Sequence, residues 1–252
     1  MRVMNKDFRF VVILARPDGR DLVALAKALA AARKTLVYDQ MMTAKNAWGI
    51  VAENLTEPEA KALVQALRSS GVESVVCPSA SLLPLPSAEP AATLQALPAS
   101  PPVLIAVAGI TSTNTVKERP SGALKILNIA NLLAGAGLPI RIGGKERVVE
   151  KTQQHSEIVF YADILYKAPP RRLRIDARRF DYSFLKERKL YQTRGNFKLL
   201  IGDLVKGSPE AWKNHGTQIL LEGKHIHTMG YQSLADMERE TRWMLTLQSL
   251  KN

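Results

Sequence analysis

Seven of the chain's 14 prolines lie between Pro78 and Pro102, in the stretch PSASLLPLPSAEPAATLQALPASPP. Proline fixes φ and removes a backbone donor, so this stretch is barred from long helices and from central strands. It has no Lys or Arg, and Glu89 is its only charge. It reads as an extended linker, semi-rigid where the prolines cluster. The 252 residues then divide into a small domain over 1–78, a linker over 79–102 and a larger domain over 103–252.

The first domain has a readable pattern. Phe8 to Leu14 is an apolar run of strand length, and Pro17-Asp18-Gly19 is a turn. Leu22, Leu25, Ala26, Leu29 and Ala30 recur at helical spacing within 21–33, and a shorter helix is expected over 38–45. Trp48 to Glu53 reads as a strand. Thr56-Glu57-Pro58-Glu59 is a capping box with proline in the first helical turn, opening a helix that stops near Gly71. Val72 to Cys77 is the last strand, which completes the order β-α-α-β-α-β.

That order, with LTEPEAKALVQALRSSGVESVVC, resembles the C-terminal domain of the bacterial ribosomal stalk protein over about residues 8–77. The resemblance implies a small α+β fold and a tendency towards protein–protein contact. The stalk domain's recruitment of translation factors does not carry over, because the matching TAKNAWG stretch has few lysines.

In the second domain, strands are expected over 103–110, 158–166 and 173–177, with a strand pair over 140–150 around Gly143-Gly144. Helices are expected over 123–134 and 196–206, and a short one is opened by Ser208-Pro209-Glu210 and ended at Gly216. Residues 218–221 and 224–228 read as a hairpin, and a last helix runs from Ser233 to about Leu250. On that helix Asp236–Arg239 and Glu238–Arg242 are spaced to form surface pairs, with Trp243 near the edge of the buried stripe. Strands closed by a Trp-bearing terminal helix resemble a pleckstrin-homology-like fold. The stretch IDARRFDYSFLKERK through GYQSLADMERETRWML resembles an uncharacterised bacterial family, with which no function comes. The fold class is α+β throughout.

Charge separates the two halves. Residues 1–100 hold 11 basic and 9 acidic residues, and 101–252 hold 24 and 14, so the formal net charge of +12 belongs almost wholly to the second half. Residues 167–198 alone hold 11 basic residues against three acids, interleaved with Phe180, Tyr182, Phe184, Tyr191 and Phe197. Arginine grips phosphate bidentately and aromatic faces stack on bases, so the mixture suits an acidic protein or a nucleic acid as partner. Arg171, Arg172, Arg174, Arg178, Arg179, Tyr182, Arg188 and Lys189 are the candidate contacts. The competing reading puts alternating Phe180, Tyr182 and Phe184 on one buried strand face, with the charges as a solvated rim.

Catalytic signatures are sparse. AGAGLPIRIGGKE has Ile140 where a dinucleotide fingerprint needs a small residue, and Gly144-Lys145 is followed by Glu146 instead of Ser or Thr. His225 and His227 would share one side of a strand, and with His215 they form a weak candidate metal set. His155 reads as an exposed loop residue. Cys77, the single cysteine, ends an apolar strand with no basic neighbour, and it fits a reducing compartment. No cofactor is expected. No apolar run approaches the roughly 20 residues of a membrane-spanning helix, and none has the form of a signal peptide, so the expected location is the cytoplasm. These features point to a non-catalytic binding or adaptor protein. A nucleic-acid-binding protein and a metal-dependent enzyme are the alternatives.

Overall fold

The computed structural model describes residues 9–17, 21–118 and 151–251, with the backbone alone described at 114–118 and 151–155. The helix expected over 123–134 and the strand pair expected over 140–150 lie outside the described residues.

Val11, Val12, Ile13 and Leu14 follow one another without a polar residue, and all four are buried on β1 (Phe10–Leu14). A strand apolar on both faces belongs in the middle of a sheet. The first sheet has the order β2-β1-β3, with β2 (Ile50–Leu55) and β3 (Ser74–Pro78) both antiparallel to β1. Helix α1 (Leu22–Arg33) starts at Asp21, whose carboxylate accepts from the amides of Val23 and Ala24. Helix α2 (Val37–Asn46) follows, and α3 (Glu57–Ser69) opens on the expected capping box. There the Glu59 carboxylate accepts from the Thr56 amide at 2.8 Å and from its hydroxyl at 2.7 Å. The element order β-α-α-β-α-β is present as expected.

The second sheet has the order β4-β7-β6-β5-β8. Its long members are β5 (Leu104–Glu118) and β6 (Lys151–Tyr166), flanked by β7 (Arg171–Asp176) and the two-residue β8 (Trp212–Lys213). β6 and β7 are antiparallel, with Asp163 opposite Arg174 and Leu165 opposite Arg172. Alternation puts Phe160, Ala162 and Ile164 on one face, all buried, and the Phe160 ring lies 5.8 Å from Phe197 of α4 (Thr193–Gly207).

The proline segment differs from the extended linker expected of it. It supplies β4 (Ala88–Pro90), which pairs in parallel with β7 at the sheet edge. An edge position tolerates the proline because one side of such a strand needs no donors. Leu82 and Ala91 are buried, and the Leu83 amide donates to Thr246 Oγ1 at 3.0 Å.

Further expectations are corrected. Residues 218–221 are not a hairpin strand but part of α5 (His215–Glu222), which is capped by Asn214 and stopped by Gly223 at φ +73°. A short apolar run fits either period, and here the cap and stop residues on its flanks decide for helix. Residues 226–229 form a 3₁₀ turn, so His225 and His227 do not lie on a strand. Trp243, on the last helix α6 (Leu234–Lys251), is central and not at the edge of the stripe. Its ring is buried, and its indole N–H donates to the Leu14 carbonyl of β1 at 2.8 Å. From the same helix Arg239 donates to the carbonyls of Ala47 and Ile50 and pairs with Glu53 at 2.7 Å, instead of pairing with Asp236.

Met1–Ile110 and Val159–Asn252 form one compact unit, and Thr111–Ile158 form a second. The boundary expected at 79–102 therefore falls inside the first unit. Among the described residues, no helix is long and apolar enough to cross a membrane.

Candidate functional site

Two arginines of the dense stretch, Arg172 and Arg174, are turned inward. On β7, Arg174 and Arg172 lie on the face that carries Asp163 of β6. Arg174 makes a bidentate pair with Asp163, at 2.7 and 2.8 Å, and also donates to Glu238 of α6 at 2.7 Å. Arg172 donates to the same Glu238 oxygen at 2.6 Å and lies 3.3 Å from Asp163 Oδ2, without hydrogen-bond geometry at its Nε. Asp163 is fully buried and Arg172 is 5% exposed. The Asp163 hydrogen bonds hold the Arg174 guanidinium well above its ordinary value. Burial works to raise the Glu238 pKa, but the hydrogen bonds from Arg174 and Arg172 outweigh it and hold the carboxyl below its usual range. This is a buried ionic lock between the sheet and α6, and its charges are spent internally.

All the remaining candidates but Lys189 have partners as well. Arg171 pairs with Glu89 of β4 at 2.5 Å, Arg178 and Arg179 share Asp176, and Arg188 pairs with Asp203 of α4 at 2.7 Å. Tyr182 is buried and donates to the Ala177 carbonyl at 2.9 Å. Its phenol is pushed upward, first by burial and then by Asp176. Phe180 and Tyr182 are buried and pack against each other 5.4 Å apart, but they lie beyond the end of β7 and share no strand face with Phe184, contrary to the strand expected.

One part of the stretch does face outward. From a 3₁₀ segment (Ser183–Arg188) to the first turn of α4, Lys186, Lys189, Leu190, Tyr191 and Arg194 are exposed, and Tyr191 is fully so. The loop is held by a buried side chain. Asn196 Oδ1 accepts from the Leu190 amide at 2.6 Å, and its Nδ2 donates to the Leu190 carbonyl at 2.8 Å. Two hydrogen bonds on one residue fix the loop and leave Leu190 and Tyr191 standing out among cations.

A second surface lies on the small sheet's helices. Leu36 is 71%, Tyr38 86% and Met42 56% exposed, while α2 buries only Gln40 and Ala44. The polarity of this helix is inverted. Gln40 is tolerated inside because its amide accepts from Arg33 at 3.0 Å and donates to the Thr35 hydroxyl at 3.0 Å. Large apolar side chains are left in water, and such clusters mark contact sites.

Nothing in the sequence pattern brought Asn214, Tyr231 and Glu240 together. Buried Glu240 accepts from Asn214 Nδ2 at 3.1 Å, from the His215 amide at 3.3 Å and from the Tyr231 hydroxyl. The carboxylate thus sits at the start of α5, where the helix dipole favours an anion. Beside it opens a cavity of about 400 Å³ that Lys45, Lys213 and His215 also line. His215 Nε2 is 3.0 Å from the Thr228 carbonyl, which only accepts, so this nitrogen carries the proton. His225 and His227 stack on each other at 4.9 Å, away from any third ligand: no group of three His, Cys, Asp or Glu able to hold a metal occurs among the described residues.

No family model, curated protein or solved structure matches the chain. The candidate surfaces therefore stand on their own chemistry: an apolar one on α2 and a basic, aromatic one at residues 186–194. Cys77 takes no part in either. Its thiol is buried and pushed upward by that burial, which removes the thiolate needed for reactivity.

Proposed function

We propose that this chain is a non-catalytic binding or adaptor protein of the cytoplasm that needs no cofactor. It contacts one protein through α2 and an acidic protein through the loop at 186–194. The observation that carries this reading is where exposed large apolar side chains concentrate. They gather at Leu36–Met42 and at Leu190–Tyr191, and the second group is ringed by Lys186, Lys189 and Arg194. Tyrosine and leucine anchors with a basic rim suit a partner that presents apolar and acidic groups together.

A second reading has its own support. The fully exposed Tyr191 ring beside Lys189 and Arg194 offers one stacking face among phosphate-binding cations, so single-stranded RNA is the alternative occupant of the loop. A Tyr38→Asp/Met42→Asp variant keeps the wild-type melting temperature, since both side chains are exposed, and loses the proteins that wild type captures in a pull-down. Retention of every captured protein removes the α2 surface from the proposal. Single-stranded RNA binding that weakens steeply with salt, and is lost in Tyr191→Ala, moves the loop's partner from protein to RNA.

A further inference from the structure

Two cavities follow one another along α6, apart from both surfaces proposed above. The first, about 480 Å³, is lined by Arg172, Glu238, Arg239 and Arg242 with Pro84–Ser87. The second, about 500 Å³, is mostly apolar, with Val103, Leu165, Tyr166 and Leu245 among its walls and Lys167 also lining it. They share Pro84 and Pro86. The α6 residues that line them include Glu238, Arg242, Leu245 and Ser249, spaced i, i+4, i+7 and i+11, which is one stripe of a helix.

The first cavity has positive charge to spare. Arg172, Arg174, Arg239 and Arg242 meet Asp163, Glu238 and Glu53, four guanidinium groups against three carboxylates. Arg242 is the most loosely matched of the four. Its Nε donates to the Leu83 carbonyl at 3.2 Å, but its nearest carboxylate oxygen, on Glu53, is 3.7 Å away. Among the described residues its terminal N–H groups make no hydrogen bond, although the side chain is only 36% exposed. A half-buried guanidinium with open donors gains most from a charge-assisted hydrogen bond, and an apolar wall next to it rewards a hydrocarbon chain.

We propose that this trough binds an amphiphilic anion, with a carboxylate or phosphate headgroup on Arg242 and an apolar chain between Leu165 and Leu245. The complementarity of a cationic end and an apolar end on one helix stripe selects such a ligand over a neutral lipid or a fully polar metabolite. Titration calorimetry with octanoate, octyl phosphate and 1-octanol at fixed ionic strength tests it. Wild type is expected to bind one or both anions about tenfold or more tightly than octanol, and their ratio tells carboxylate from phosphate. Arg242→Gln reduces the anions to the octanol level, a change at exposed Lys206, which lines neither cavity, to Gln leaves them unchanged, and Leu245→Glu abolishes binding of all three. Melting curves of each variant report whether it is folded. If Arg242→Gln does not fold, the octanoate-to-octanol ratio of wild type decides. The proposal is overturned by wild type that binds neither anion, by octanol binding as tightly as the anions, or by anion affinity that survives Arg242→Gln.

Discussion

A Cβ on Gly49 would lie 1.9 Å from Cδ2 of Trp243, and Gly49 has φ +87°, so both space and backbone conformation demand glycine there. The preceding residue, Trp48, also has positive φ, and its ring stacks on Tyr231 at 4.3 Å. Two indoles thereby fasten the turn before β2 to the C-terminal part of the chain. Gly49→Ala is expected to destabilise the fold by about 3 kcal/mol or more, read as a fall in denaturation midpoint. A cost near zero would mean that Trp243 does not sit over this backbone. Glu238 gives a prediction in pH. Its carboxyl is held below its ordinary value in the fold, so its contribution is complete above the unfolded value, about 4.3, and fades as pH falls through the lowered folded value. Glu238→Gln should therefore lose stability at neutral pH and lose less than wild type on acidification to about pH 3. Parallel acid limbs for the two proteins would contradict the pairing with Arg172 and Arg174.

At the scale of elements, the first 78 residues were legible because local signals agreed with one another. The apolar run ending at Leu14 marked a strand, the helical period from Asp21 and the Thr56–Glu59 box marked two helices, and Gly71 marked a stop. The 79–102 segment was misleading for an equally physical reason. Proline content states which backbone hydrogen bonds a segment cannot make, and it leaves open whether its leucines are buried. Leu82 is buried and Leu83 is tied to α6 through both its amide and its carbonyl. Leu82→Ala should cost about 2–3 kcal/mol as a core truncation, whereas in a solvated linker it would cost almost nothing. Chemical denaturation of that single variant separates the two. Residues 218–221 were misread as a hairpin strand because Ile219, Leu220 and Leu221 fit either period over so short a run.

Across the whole molecule, the candidate site was only half visible in the sequence. The charge excess at 167–198 could be counted, but Asp163, Glu238, Glu89 and Asp203 come from other elements, and only the fold brings them to the arginines. The short helix over 38–45 could be expected, but nothing local signals that α2 turns Gln40 inward and leaves Tyr38 and Met42 exposed. The result is that the arginine count of 167–198 overstates the cations free to meet a partner, because Arg172 and Arg174 are committed to Asp163 and Glu238. Elution from a heparin column along a salt gradient tests that most directly. Lys186→Glu/Lys189→Glu should elute at clearly lower salt than wild type with an unchanged melting temperature. Arg174→Met should melt earlier, having left Asp163 buried without its bidentate partner, yet while folded elute close to wild type. The opposite pattern, with elution shifted by Arg174→Met and untouched by the two lysine changes, would contradict the account.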